Sequence, residues 1–302
     1  MVNRHNYKNL QWINLESPSR EEVLALTTEF DINALVAEEL LQPTFKPRAE
    51  LHRNLVYLIL HFPTATGKVN QPKEVDFIVG KDFIITTHYD AIDPLHQFSK
   101  LFEVNSILDR SNIGDHAGFI FFYMIRELYR ALSFQLDNLG DSLHKTEEQI
   151  FRGHEKEMVI ELSRFSRTLL DFKNALGGHR DTLESFTIAG HRFFGAEFDF
   201  YLNGVIGEYG KVERQITADS DFLVELRETN NSLLSTKENE IMKTLTIMAF
   251  ITFPLTLIAS IFGMNTKELP IVGLSNDFWI VIGVMALLTG GMFVFFKHKK
   301  WL

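Results

Sequence analysis

The chain contains no cysteine. That excludes a disulfide framework and any thiolate metal site, and it permits a reducing compartment for the bulk of the protein. No basic stripe runs through it either: 30 Lys and Arg stand against 39 Asp and Glu, a formal charge of −9. This balance argues against nucleic acid as a partner and suits a protein that handles cations. Met1–Ser17 is polar and lacks the continuous apolar core of a secretory signal, so the large N-terminal part is expected to stay in the cytosol. The eleven histidines include no pair spaced four apart around a glutamate, and no glycine loop is built to cradle phosphate. With no catalytic constellation in view, the chain is not expected to be an enzyme, to hold an organic cofactor or to pump at the expense of ATP.

What is present is distributed unevenly. The 302 residues are 45% apolar, an average value, but nearly all the long apolar runs fall in the last sixty. More than one structural unit is therefore expected. In the first, residues 1–116, Gln11–Leu15 looks like a strand and a helix starts near Ser19, with Glu21 and Glu22 in its first turn. Leu55–His61, Val75–Val79 and Phe83–Thr87 are β-branched and aromatic runs, the last two joined by a Gly80-Lys81-Asp82 hairpin turn. Because these runs are nearly continuous in apolar residues, the sheet is expected to be covered on both faces, an α/β/α layer.

Residues 117–240 read as long helices. Phe119–Glu148 and Glu155–Leu176 alternate apolar and charged residues at helical spacing, and Gly177-Gly178 breaks the chain after them. Between Gly210 and Pro254 there is neither glycine nor proline, a stretch of 43 residues. As one helix it would run ~65 Å at about 1.5 Å per residue, long enough to form a stalk that enters a membrane.

Residues 241–302 hold two runs that meet the length for spanning a bilayer. Leu245–Met264 is 20 residues without a charge and Phe278–Phe296 is 19. Lys243 precedes the first, and Lys297, Lys299 and Lys300 follow the second. The loop between them, Asn265–Asp277, has one Lys against Glu268 and Asp277. Positive flanks inside place both termini in the cytoplasm and the short acidic loop outside, with Trp279 and Trp301 as interfacial anchors.

At the outer end of the first span the chain reads Ile261-Phe262-Gly263-Met264-Asn265. Upstream stand Asn239-Glu240-Ile241-Met242-Lys243-Thr244-Leu245-Thr246 and Pro254-Leu255-Thr256, and the chain closes on Lys299-Lys300-Trp301-Leu302. Over Asn239–Leu302 this resembles the CorA family of magnesium and cobalt channels, whose signature is an aromatic-Gly-Met-Asn element closing the first of two C-terminal spans. The resemblance implies an α+β membrane protein: an N-terminal α/β/α cytosolic domain, a long stalk helix and two transmembrane helices per subunit. It also implies assembly as a homopentameric funnel in the cytoplasmic (inner) membrane, with the first span lining the pore. The cargo is then Mg²⁺, with Co²⁺ or Ni²⁺ as alternatives.

The chemistry of the motif fits that cargo. Mg²⁺ gives up its waters reluctantly, so a filter for it does best to bind the hydrated ion. The amide oxygen of Asn265 accepts hydrogen bonds from coordinated water without gripping the ion as a carboxylate would. Carbonyls near Gly263 and Met264 add the negative end of the helix dipole, and Gly263 permits a turn and close approach of backbones. Asn239, Met242, Leu245, Ala249, Phe253 and Thr256 recur at steps of three and four, one helical face. They match the family's pore-facing positions, where Met242, Leu245 and Phe253 would make apolar constrictions that gate by dewetting. Helix–helix packing would produce the same stripe.

The resemblance thins elsewhere. Family members bind regulatory Mg²⁺ through acids between neighbouring cytoplasmic domains, and Asp90, Asp93, Asp199 and Glu208 lie in the corresponding regions. An ungapped count from Asn239, however, puts Gly204 where one such aspartate belongs. Glu228 matches an acidic position low on the stalk, at the cytoplasmic mouth. After the motif comes Thr266-Lys267-Glu268-Leu269-Pro270 in place of the Met-Pro-Glu-Leu of many members. Glu268 would still attract cations, diluted by the adjacent lysine. The rivals are a zinc transporter of the ZntB type, which tends to vary the Met of the motif, and a non-conducting receptor or scaffold anchored by the hairpin.

Overall fold

The computed structural model describes residues 2–44, 46–63, 72–90, 92–103, 116–265, 271, 273, 276–299 and 301. The chain divides into two compact units, Met1–Arg227 and Glu228–Leu302.

The first unit is organised by six strands: β1 (Val2–Tyr7), β2 (Leu10–Glu16), β3 (Arg48–Leu51), β4 (Val56–Phe62), β5 (Lys73–Val79) and β6 (Phe83–His88). They pair in the order β1-β2-β6-β5-β4-β3. Every pairing is antiparallel except β2 with β6. The near-continuous apolar runs expected to be covered on both faces are so covered. All seven residues of β4 are buried, and every residue of β5 after Lys73. Gly80 closes the β5–β6 turn, its N–H donating to the Phe83 carbonyl at 2.8 Å.

One face carries α1 (Arg20–Phe30) and α2 (Ala34–Glu39). Ser19 starts α1 with a capping box: its hydroxyl accepts from the Glu22 N–H at 3.2 Å, and the Glu22 carboxylate accepts from the Ser19 N–H at 2.9 Å. Two orphan donors of the first turn are thereby satisfied. Val23 and Leu26 of α1 and Val36 of α2 close over Ile13, Leu15, Ile59, Ile78 and Ile85 of the sheet.

The other face is covered by α3 (Asp93–Glu103), α4 (Gly118–Phe151) and α6 (His179–Phe194), with α5 (Glu155–Leu176) returning along α4. Phe121 of α4 meets Phe77 of β5 edge-on at 5.4 Å, and Phe98 of α3 meets Trp12 of β2 at the same distance. Gly178 opens α6 where a Cβ would lie 2.4 Å from Pro47 Cγ, so only glycine fits there.

Charged groups cross this core. His179 is fully buried; its Nδ1 meets the Tyr129 hydroxyl at 2.8 Å and its Nε2 lies 2.7 Å from the His61 carbonyl. Burial pushes the His179 imidazole down to about 3, so it stays neutral. On the opposite side of β4, the His61 side chain meets Glu74 at 3.0 Å and the Thr44 carbonyl at 2.8 Å.

The expected glycine-free stretch is part of a longer helix, α7 (Asp199–Phe262), which runs for 64 residues through Gly204, Gly207, Gly210 and Pro254. Three glycines would weaken an isolated helix. Here Leu202, Val205, Tyr209, Val212 and Ile216, at alternating steps of three and four, are buried and hold it. The second unit contains the rest of α7 and α8 (Asp277–His298).

Candidate ion pathway

The C-terminal part of α7 and all of α8 are long and apolar enough to cross a membrane. Within their unit the two meet through Phe250 and Phe296, ring centroids 6.4 Å apart, and Trp301 stacks on Phe296. Ile247 and Phe296 are the buried apolar side chains here, at 7% and 5% exposure.

The loss of exposure along α7 has a period. Ile247, Ile251, Pro254, Leu255, Ile258 and Phe262 are buried or half-buried, a seam at steps of one, three and four. At about 100° per residue, Met242, Leu245, Ala249, Phe253 and Thr256 lie about 180° from that seam, with Asn239 at the edge of the stripe. Phe253 is 73% exposed and Leu245 54%; Met242, Thr256 and Asn239 are exposed too, and Ala249 half-buried. Packing against α8 therefore does not account for the stripe, which leaves contact with another copy or with an aqueous path. The Thr256 hydroxyl donates to the Thr252 carbonyl at 2.9 Å, so its oxygen is left as an acceptor. Pro254 has no N–H and frees the Phe250 carbonyl from the helical ladder.

At the end of α7 the Gly263 N–H donates to the Ala259 carbonyl at 2.9 Å and the Met264 N–H to Ile261 at 3.3 Å. Positive φ among the described glycines occurs at Gly153, Gly195 and Gly273 and not at Gly263. The glycine is needed instead for space, since a Cβ at 263 would stand 3.0 Å from the Ala259 carbonyl oxygen. Met264 and Asn265 follow, both exposed. Opening α8, Asp277 accepts from the N–H of Gly273 at 3.2 Å and of Phe278 at 2.7 Å, a carboxylate at the positive end of that helix. Thr266–Pro270, with Glu268, and also Lys300 and Leu302, lie outside the described residues.

The acids considered for regulation are not brought together within one chain. Asp90 is exposed after β6, with its carbonyl 2.7 Å from His88 Nδ1. Asp93 begins α3. Asp199 begins α7 and takes His191 Nδ1 at 2.8 Å. Glu208 pairs with Lys211 at 2.9 Å, nine residues on, which is about two and a half turns and the opposite face. Glu228 is exposed on α7. Among the described residues no three His, Asp or Glu side chains lie close enough to hold a metal ion. Sequence reasoning passed over the buried polar groups of the sheet, His61, Glu74, Asp76 and His88. The available signal was acids two apart, Glu74 and Asp76, inside an otherwise apolar strand.

A family model described as CorA-like Mg²⁺ transporter protein matches residues 7–298. The cobalt/magnesium transport protein CorA of Thermotoga maritima is 26% identical over 294 residues, covering 96% of this chain and 83% of that protein. The complete structure of the CorA magnesium transporter from Methanocaldococcus jannaschii superposes with a TM-score of 0.83 at 22% identity, covering 98% of this chain and 93% of that one. The ZntB cytoplasmic domain from Vibrio parahaemolyticus is similar in fold at a TM-score of 0.59 and 8% identity, covering 77% of this chain and 90% of that one.

Proposed function

This chain belongs to the CorA family of Mg²⁺ transporters, and from that premise we propose that it is a channel for hydrated Mg²⁺, driven inward by the membrane potential. Co²⁺ and Ni²⁺ are the alternative cargo. The observation that carries the reading is the stripe from Met242 to Thr256, turned away from the α8 seam and ending at Gly263-Met264-Asn265. Copies of α7 arranged around an axis, five in our proposal, bring their stripes together. One Asn265 cannot surround an ion, but a ring of them can.

In that ring the carboxamide oxygens of Asn265 accept hydrogen bonds from the waters of the entering ion, so Mg²⁺ need not shed its shell. The carbonyls at the end of α7 supply negative potential at the same place. Deeper in, Thr256 offers another acceptor oxygen, because its hydrogen is spent on Thr252. Phe253, Leu245 and Met242 form apolar rings that stay dry, and closed, until the helices separate. No charged side chain lies in either uncharged run, so a proton relay is not called for. Moving two charges inward through 100 mV yields roughly 4.6 kcal/mol, at about 2.3 per charge.

Lys243 at the inner end of α7, and Lys297 and Lys299 after α8, support a cytoplasmic location for both termini in the inner membrane. Regulation by Asp90, Asp93, Asp199 or Glu208 would need ligands from two subunits. The zinc-transporter alternative is weakened by the retained Met264 and by the lower likeness to the ZntB domain.

Proteoliposomes with an inside-negative potential should take up Mg²⁺ and stop when the potential is dissipated. Uptake that ignores the potential would exclude the channel mechanism; correctly oriented protein without uptake would favour the anchored receptor.

A further inference from the structure

Asn14, Glu16 and His88 play no part in the ion pathway, yet they meet at the carboxyl ends of β2 and β6, the one parallel pair in the sheet. With His96, Ser99 and Lys100 of α3 they line a cavity of about 620 Å³. Open α/β sheets bind ligands in the crevice beyond the carboxyl ends of their parallel strands, and the volume is that of a small-molecule site.

Its polar groups are oriented from beneath. Trp12 Nε1–H donates to Thr86 Oγ1 at 3.0 Å, and an indole can only donate. Thr86 passes its own hydrogen to Asn14 Oδ1 at 2.7 Å. The carboxamide N–H groups are then what Asn14 offers to the cavity. His88 is 4% exposed. Its Nδ1 faces the Asp90 carbonyl at 2.7 Å and must carry the hydrogen, which leaves Nε2 as a lone-pair acceptor. Among the described residues Nε2 has no hydrogen-bond partner, an arrangement that is costly unless a ligand donates to it.

The walls differ in character. On the strand side Glu16 stands opposite His88 in register, so that wall accepts hydrogen bonds and carries a negative charge. On the helix side Lys100 carries a positive charge, with His96 and Ser99 beside it. A bare anion would be repelled by Glu16 and a bare cation by Lys100. A preformed metal site is not available, since no three donors gather here. The mixed walls instead select a molecule with hydroxyl donors at one end and negative charge at the other.

We propose that this cavity binds a phosphorylated polyol, the chemistry shared by sugar phosphates and ribonucleotides. The hydroxyls donate to Glu16 and His88 Nε2 and accept from Asn14, and the phosphate lies against Lys100 and His96. This site is independent of whether the pore conducts.

Isothermal titration of the full chain in detergent, with EDTA present, tests it using ribose 5-phosphate, AMP, ribose and inorganic phosphate. Both esters are expected to bind, with ribose and inorganic phosphate at least tenfold weaker. Lys100→Ala, an exposed position, should weaken ester binding at least tenfold, and Glu16→Gln should weaken it while leaving inorganic phosphate unchanged. AMP tighter than ribose 5-phosphate assigns a nucleotide, and the reverse a sugar phosphate. The proposal is overturned if neither ester binds or if inorganic phosphate binds equally well. Indifference to Lys100→Ala, in protein with wild-type circular dichroism and melting temperature, overturns it as well.

Discussion

Asp76 sits within β5 at 1% exposure, and neither carboxylate oxygen has a hydrogen-bond partner among the described residues. Tyr89, beside it, donates its hydroxyl to the Glu39 carbonyl at 3.2 Å. Burial, reinforced by the charges of Glu74 and Glu39, raises the Asp76 carboxyl well above the usual carboxylate range. The sign follows from linkage. The folded state holds this proton more tightly than the unfolded chain does. Stability is therefore greatest below the unfolded value of about 4 and falls as pH rises from there through the folded value. Asp76→Asn does not titrate. Its melting temperature should match the wild type near pH 4 and exceed it increasingly toward neutral pH; a lower melting temperature at pH 8 would show that the ionised carboxylate is stabilising. Residues of this kind were hard to recognise in the sequence. Glu74 and Asp76 share one side of β5, and only the pairing of β5 between β4 and β6 turns that side inward.

Elements were more legible where their signal is local. Ser19 with Glu22 marks a helix start through four residues, and β4, β5 and β6 announce themselves by β-branched and aromatic runs. The edge strands β1 and β3 were missed because their exposed residues carry no apolar alternation: Val-Asn-Arg-His-Asn-Tyr and Arg-Ala-Glu-Leu. The parallel pairing of β2 with β6, which creates the cavity beneath α3, joins residues some seventy apart and has no local signature. On α7 the spacing of the stripe was visible, but not which side of the helix α8 would take. That geometry makes two neighbouring substitutions diverge. Leu245→Asn, in the stripe, should wet an apolar ring and raise basal Mg²⁺ flux several-fold with little change in expression. Ile247→Asn, in the buried seam, should cost roughly 2–5 kcal/mol and lower the yield of folded protein. Equal effects on flux from both would remove the distinction between the two faces.

For the whole molecule, a single chain supplies one stripe, one Asn265 and scattered acids, and each becomes effective only when repeated around an axis. Native mass spectrometry in mild detergent should accordingly give five times the subunit mass; a stable monomer or dimer would leave the stripe without a pore to line. The order of the soluble unit and the two apolar helices was readable from composition, because the apolar runs are confined to the end of the chain. The absence of a three-ligand metal site within the described residues was not, since Asp199 and Glu208 are near in sequence but lie on opposite faces of α7. The most direct measurement is potential-driven Mg²⁺ uptake into proteoliposomes by wild type and by Asn265→Ala at equal reconstitution. Loss of at least nine-tenths of the uptake in an intact oligomer is the predicted result. Uptake unchanged by the substitution would contradict the hydrated-ion filter at Gly263-Met264-Asn265.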